Sequence, residues 1–519
     1  IQNATGTLAS VPPGRNGLDP NWTATNEAWR FVPNGTSIAS IKWYEGAGTT
    51  GTVVGTTPVI NVCPTTTTTY TAEITYTLCN GATLKEVDQT TVTVSPNKTW
   101  NGTSGTNWNT AANWTPFGVP VATEGVIIPN TTNKPIISGG TVAVACSVTI
   151  QSGGLLTVNA ANSITVTNAV NVATGANMII ENTGSLVQIN NVVNTGNIQY
   201  QRTANIRRQD YVYWSSPVSG FSNSAISPGT PLGFQYKWLP TTAGTNGFGN
   251  WTYANETMIG GKGYIVRGPN AFSATVAANY TATFTGVPNN GNISTPISRG
   301  TWNGGTYSTG VSTTLGTNDD DNWNLVGNPY PSSIHAIKFL TLNPNIAGFV
   351  NIWTHGTLPS TATADPFYNN YAYNYTPSDY ITYNSVGASS GAGVFNGFIG
   401  GGQGFLVSML HSTAATTESL LFDNTLRRDI PTGNVYSNSQ FYKTSNKNSD
   451  TDELEKHRIW FDLVNSNGAS VRTLLGYVED ATNESDRLFD AFTNEKLPFN
   501  VFSLIEDERM IIQGRKLPP

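Results

Sequence analysis

Hydrophobic positions between residues 125 and 190 return every 22 residues. In register, the blocks are GVIIPNTTNKPIISGGTVAVAC (125–146), SVTIQSGGLLTVNAANSITVTN (147–168) and AVNVATGANMIIENTGSLVQIN (169–190). Val126, Val148 and Val170 open one series of β-branched runs. Ile136, Val158 and Ile180 fall in a second, and Val142, Ile164 and Leu186 mark a third. Glycine and asparagine punctuate them at matching places, as at Gly153/Gly175 and Asn162/Gly184. Three short strands and three tight turns per period predict a three-sided parallel β-solenoid. Each coil leaves its strand edges open until the next stacks on it, so such a repeat builds a spacer or platform rather than a pocket.

Elsewhere the apolar residues alternate with period two, the signature of half-buried strands. IASIKWYEG (38–46), PVINV (58–62), TYTAEITYTL (69–78) and QTTVTVS (89–95) predict an Ig-like β-sandwich over 1–96, with Trp43 in its core. The solenoid is expected over 97–202. Its entry, SPNKTWNGTSGTNWNTAANW (95–114), places Trp100, Trp108 and Trp114 where the first coil needs a cap; sugar stacking is the rival reading. Residues 203–430 carry a second echo. DYVYWSSPVSG (210–220) leads to MIGGKGYIVRG (258–268), and NWNLVGNPYPSSI (322–334) leads to FIGGGQGFLVSM (398–409), which predicts a duplicated β-sandwich or jelly-roll-like region. The glycines precede apolar strand residues rather than a helix, so they read as turn or bulge glycines and not as a phosphate loop. Charged residues become dense past Thr425. Residues 431–457 then read as a linker, and 458–519 as an incomplete β-domain with strands at RIWFDLV, TLLGYVEDA and ERMIIQG. The expected class is all-β.

Composition narrows the functional classes. At 519 residues the chain exceeds what one core organises. Only 11% of residues are charged, and the net charge of −6 gives no field that recruits nucleic acid. No apolar run approaches the roughly 20 residues of a transmembrane helix. No signal peptide opens the chain at Ile1, so a processed chain or internal fragment is expected. Of the cysteines Cys63, Cys79 and Cys146, the first two are expected to be separated by a strand of about 30 Å, and three free thiols are predicted.

Candidate chemistry is sparse. From 96 to 200 the charged side chains are Lys98, Glu124, Lys134 and Glu181. Two isolated glutamates do not make an acid–base pair, so this segment is expected to be non-catalytic. Its turn asparagines read as residues that accept left-handed geometry and stack coil upon coil. His335, His355, His411 and His457 follow no metal spacing and read as structural. Asp319, Asp320 and Asp321, before Asn322, form a weak calcium candidate; a solvated turn is the preferred reading, and no cofactor is expected. The best recognition candidate is YNNYAYNYTPSDYITY (368–383), with Tyr371, Tyr373, Tyr375 and Tyr380 as ligand-facing aromatics. The preferred reading packs one face of the cluster inside the sandwich, its hydroxyls on backbone partners.

Four stretches carry a family resemblance. TPVINVCPTTTTTYTAEITYTLCNG (57–81), TWNGTSGTNWNTAANW, the phrases DYVYWSSPV, WNLVGNPYPSSI and GQGFLV, and RIWFDL with LLGYVEDATNESDRLFD and MIIQGRKLP occur in a matching order. Together they resemble large cell-surface proteins and adhesins of Bacteroidetes exported by the type IX secretion system, of the gliding-adhesin type. The resemblance implies export across the outer membrane, an extracellular or cell-surface location in a Gram-negative bacterium, and a non-catalytic role. It implies the type IX translocon or outer-membrane anchoring proteins as partners, with surface glycans as further candidates. Such proteins run on into a C-terminal sorting domain, which this sequence does not contain. The leading expectation is therefore a surface adhesin or surface-structural protein. A carbohydrate-binding accessory region of a larger secreted polysaccharide-active protein is the alternative.

Overall fold

A computed structural model describes residues 37–517 apart from 63, 65, 79, 93–96, 243–249, 301–321, 359–378, 391–394, 411–414, 442–456, 465, 467–469, 494–499 and 507. The fold is all-β, and the chain divides into two compact units, 1–96 and 97–519.

In the first unit the described strands Ser37–Glu45, Thr52–Gly55, Thr68–Thr77 and Thr83–Val92 form one antiparallel sheet, with the first strand between the second and third. The strand expected at 58–62 is absent; Pro58 offers no N–H to a ladder, and Thr52–Gly55 pairs with Trp43–Glu45 instead. Trp43 does not fill a core. A register shift between Trp43 and Tyr44 leaves Trp43 half-buried, its indole donating to Thr57 O, while Tyr44 and Tyr70 are buried.

The second unit opens with a three-sided solenoid of about three turns. Lys98–Trp100, Gly125–Ile128, Ser147–Ile150 and Val170–Val172 stack in parallel on one face. Ile136–Ile137, Leu155–Val158 and Asn177–Ile180 stack on the second, and Val142–Ala145, Ser163–Val166 and Ser185–Gln188 on the third. Inward residues alternate with outward ones, so Ile150, Val158, Ile164, Ile180 and Leu186 are fully buried. Each contributes about 1.5–3 kcal/mol of burial. The 22-residue spacing holds between the second and third coils, with Val158 opposite Ile180 and Ile164 opposite Leu186. The first coil slips by one residue on two faces: Val158 faces Ile137, and Ile164 faces Ala143. Ile136 and Val142, which the 22-residue spacing aligns with the buried Val158 and Ile164, point outward, and Val142 is 57% exposed.

The charged groups of the solenoid fasten its corners. Lys98 donates to Pro116 O and Phe117 O, Lys134 to Asn130 Oδ1 and Gly153 O, and Glu181 accepts from Ala160 N. Asparagines do stack, Asn190 Nδ2 donating to Asn168 Oδ1 at 2.7 Å, but none among the described residues is left-handed. Glycines, Ala161 and Thr183 take those positions, and Thr183 Oγ1 accepts from Ala161 N one coil away. Trp100, Trp108 and Trp114 are buried over the first coil in edge-to-face contact, with centroids 4.7–5.0 Å apart. Cys146, expected to be a free thiol, is disulfide-bonded; Cys63 and Cys79 lie outside the described residues.

The solenoid continues into the next layer through one strand. Ile198–Ile206 pairs in parallel with Ile179 and Ile180 of the last coil, and antiparallel along its whole length with Ala278–Pro288. Two sheets of identical order follow. In the first, Tyr211–Trp214 pairs with Tyr264–Arg267, which pairs with Gln235–Leu239, then Asn250–Tyr253. In the second, Trp323–Gly327 pairs with Gly404–Ser408, then Val350–Trp353, then Tyr380–Tyr383. Ile293–Ser298 with Thr417–Phe422 repeats the flanking pair of the first sheet.

The last sheet comprises Arg458–Val464, Ser470–Val478, Ala491–Phe492, Ser503–Ile505 and Glu508–Lys516. It packs onto the second repeat through Leu474 and Ile512 beside Trp323, Phe349 and Leu406. Residues 437–441, expected as linker, instead fill a seam. Phe441 is buried against Trp214, and the Asn438 side chain binds Gly184 O and the Tyr200 hydroxyl. An apolar ring and a buried amide outweigh the polar composition around them.

Candidate functional site

Of the expected ligand-facing tyrosines, Tyr380 lies within the described residues; Tyr371, Tyr373 and Tyr375 lie outside them, as do Asp319, Asp320 and Asp321. Tyr380 is directed inward. Its hydroxyl lies 2.5 Å from that of Tyr213, and its ring is 4.8 Å from Trp353. Trp353 stacks on Tyr213 at 5.8 Å and donates its indole N–H to Tyr211 O. This aromatic seam joins the two repeats. At its outer end Tyr253, 69% exposed, stacks on Tyr236 beside the Trp238/Trp251 pair.

A polar knot closes one side of the seam. Asp210 accepts two bonds from Arg207 Nε, at 2.9 and 3.1 Å, and one from Arg207 N. His355 Nδ1 accepts from Tyr211 N at 2.9 Å, so the imidazole proton sits on Nε2, 3.3 Å from Asp210 Oδ1. Asp210 and His355 are 0% and 1% exposed. A His–Asp pair so enclosed positions backbone rather than a substrate. His335 is structural too, its Nδ1 capping the helix Ala336–Leu342. His411 lies outside the described residues, and no group of three His, Cys, Asp or Glu among the described residues is arranged to hold a metal.

The arrangement open to a ligand lies where the last sheet meets the second repeat. Gly348 starts it: a Cβ there would fall 1.7 Å from Arg487 O and 2.8 Å from Leu488 Cα. Only glycine lets the 485–490 turn lie on this backbone. The turn and the sheet enclose a cleft of about 260 Å³ walled by Phe349, Leu410, Phe492 and Met510. Asp486, Asp490 and Glu508 are among its lining residues. Asp490 is buried and accepts from Asp486 N at 2.6 Å and Gly514 N at 3.0 Å. Burial pushes its carboxyl up to about 6; the two amides pull it down, Asp486 raises it further, and Arg515 lowers it. Asp486 Oδ2 accepts from Thr482 N and Oγ1. Arg487 turns its guanidinium to Ile346 O and Leu340 O, at 3.0 and 3.1 Å, and burial lowers its pKa.

Sequence reasoning missed this cleft. Its visible trace was the four-residue spacing of Asp486 and Asp490, with Leu488 and Phe489 between them in a charged tract. A family model described as a domain of unknown function (DUF8693) matches residues 99–519. The chain belongs to that family. The match takes in the solenoid, both repeats and the last sheet, so the aromatic seam and the cleft lie inside the family region. No curated protein and no solved structure matches the chain.

Proposed function

We propose that this chain is a non-catalytic cell-surface protein of a Gram-negative bacterium, an adhesin or surface-structural element exported by the type IX secretion system, with a role in attachment or gliding motility. The observation that supports a load-bearing role is the strand Ile198–Ile206. It is at once a rung of the solenoid and an edge-to-edge partner of Ala278–Pro288 over nine residue pairs. Force entering the solenoid passes into the repeats through a hydrogen-bonded ladder and a shared core, with no flexible connection to absorb it. The sequence resemblance supplies the export route and the partners, namely the translocon or outer-membrane anchoring proteins. Protease accessibility on intact cells tests the proposal. An epitope-tagged chain is digested from outside wild-type cells and protected in cells lacking the type IX translocon. Protection in both strains overturns it.

The alternative, a carbohydrate-binding accessory region of a polysaccharide-active protein, is supported by the exposed Tyr253 ring beside Trp238 and Trp251. A glycan array separates the two readings. Selective binding that disappears in Tyr253→Ala favours the alternative.

A further inference from the structure

We infer that the cleft between Phe349, Phe492 and the 485–490 turn binds a primary alkylammonium group, carried on a lysine side chain or a free amine. The inference is independent of where the protein resides. Two properties of the cleft carry it. Its volume of about 260 Å³, enclosed by Phe349, Leu410, Phe492 and Met510, fits an apolar stem of several methylenes. Among its lining residues the acidic side chains outnumber the basic one. Asp486, Asp490 and Glu508 are among the lining residues, against one lining cation, Arg487, whose Nη1 and Nη2 donate to Ile346 O and Leu340 O, and Arg515 acts on Asp490 from outside the lining.

Acceptor bookkeeping sets the guest. Asp490 has an amide donor on each oxygen, and Asp486 Oδ2 is taken by Thr482. Asp486 Oδ1 and both oxygens of Glu508 have no donor among the described residues. An ammonium supplies three donors and a positive charge. A neutral apolar guest of the same length desolvates the carboxylates without compensation, which is costly. A hydroxyl-rich guest supplies donors but leaves the charge unbalanced. An alkylammonium ion answers the apolar wall and the acidic side together.

Titration calorimetry on the whole chain with pentylamine, Nα-acetyl-lysine N-methylamide and pentanol tests this. Both amines are expected to bind, pentanol at least about tenfold more weakly, the contrast expected of a charge-assisted contact. Tighter binding of the lysine derivative assigns a polypeptide source, and tighter binding of pentylamine a free amine. Glu508→Gln, at a half-buried position whose carboxylate has no donor among the described residues, is expected to weaken amine binding about tenfold and leave pentanol unchanged. Asp486→Asn serves as a second variant with the same expectation. Absence of amine binding, equal binding of pentanol and pentylamine, or amine affinity unchanged in both variants overturns the inference. Binding of neutral monosaccharides in preference to amines overturns it as well. None of these outcomes depends on protease accessibility at the cell surface.

Discussion

Ser215 and Gly327 occupy equivalent places in the two repeats and touch each other. A Cβ on Gly327 would lie 2.5 Å from the Cβ of Ser215. The contact is flanked by a reciprocal exchange: Ser215 N donates to Gly402 O at 2.8 Å, and Gly327 N donates to Gly261 O at 2.9 Å. Bridges between Trp214 and Gln403 and between Lys262 and Val326 repeat the exchange. Each repeat thus completes its own glycine turn with the opening strand of the other, which makes the two sheets one body.

Gly327→Ala is therefore expected to be strongly destabilising although alanine fits most strands. The added methyl meets Ser215 Cβ at 2.5 Å, Gln403 O at 2.9 Å and Gly404 Cα at 3.1 Å, and two of these neighbours are backbone that cannot swing aside. A loss of about 1–3 kcal/mol, typical of overpacking, is expected in urea denaturation. Wild-type stability in this variant contradicts the contact at the repeat junction.

The solenoid and the duplication were legible because both leave periodic marks. Parallel rungs demand equal spacing of β-branched residues, and the glycine-aromatic phrases mark equivalent strands. The one-residue slip in the first coil was not legible. Ile136 and Ile137 are adjacent isoleucines, and only the position of Val158 decides which points inward. The cleft was not legible either: Gly348 meets Arg487 across a separation no local pattern records. Whether Tyr380 faces a ligand or the interior was not legible, because alternation fixes that strand faces differ, not which face the neighbouring repeat covers.

That slip supplies a paired prediction. Ile137 is fully buried, whereas Ile136 is only partly covered. Ile137→Ala is expected to cost about 2–5 kcal/mol, as for a core isoleucine, and Ile136→Ala less than about 1 kcal/mol. The reverse order in thermal denaturation restores the uniform 22-residue register.

Arg427 tests the seam between solenoid and repeats. Its guanidinium is fully buried, donates to Leu186 O, Ser332 Oγ and Asn424 Oδ1, and lies 4.5 Å from the centre of the Tyr330 ring. Burial lowers its pKa to about 10, which leaves it charged at neutral pH. Arg427→Lys keeps the charge but not the planar fork that serves several acceptors. A loss of about 1–3 kcal/mol is expected from the acceptors left unpaired. Arg427→Lys with wild-type urea resistance contradicts the clamp.

Asp490 gives the last section of the chain a pH signature. Its carboxyl is pushed up to about 6 from an ordinary value of 3.8, because burial beside Asp486 penalises the charge more than two amide donors and Arg515 relieve it. The native state therefore holds this proton more tightly than the unfolded chain. The corresponding stabilisation is complete below pH about 4 and lost as pH rises through about 6. At roughly 1.4 kcal/mol per pKa unit the swing is about 2–3 kcal/mol. Asp490→Asn cannot ionise, so the wild type should lose about that much stability relative to this variant between pH 4 and pH 7. Urea titrations of both proteins at pH 4, 5, 6 and 7 measure the difference. A difference that stays constant across the series places the Asp490 carboxyl in solvent rather than beneath the turn that roofs the cleft.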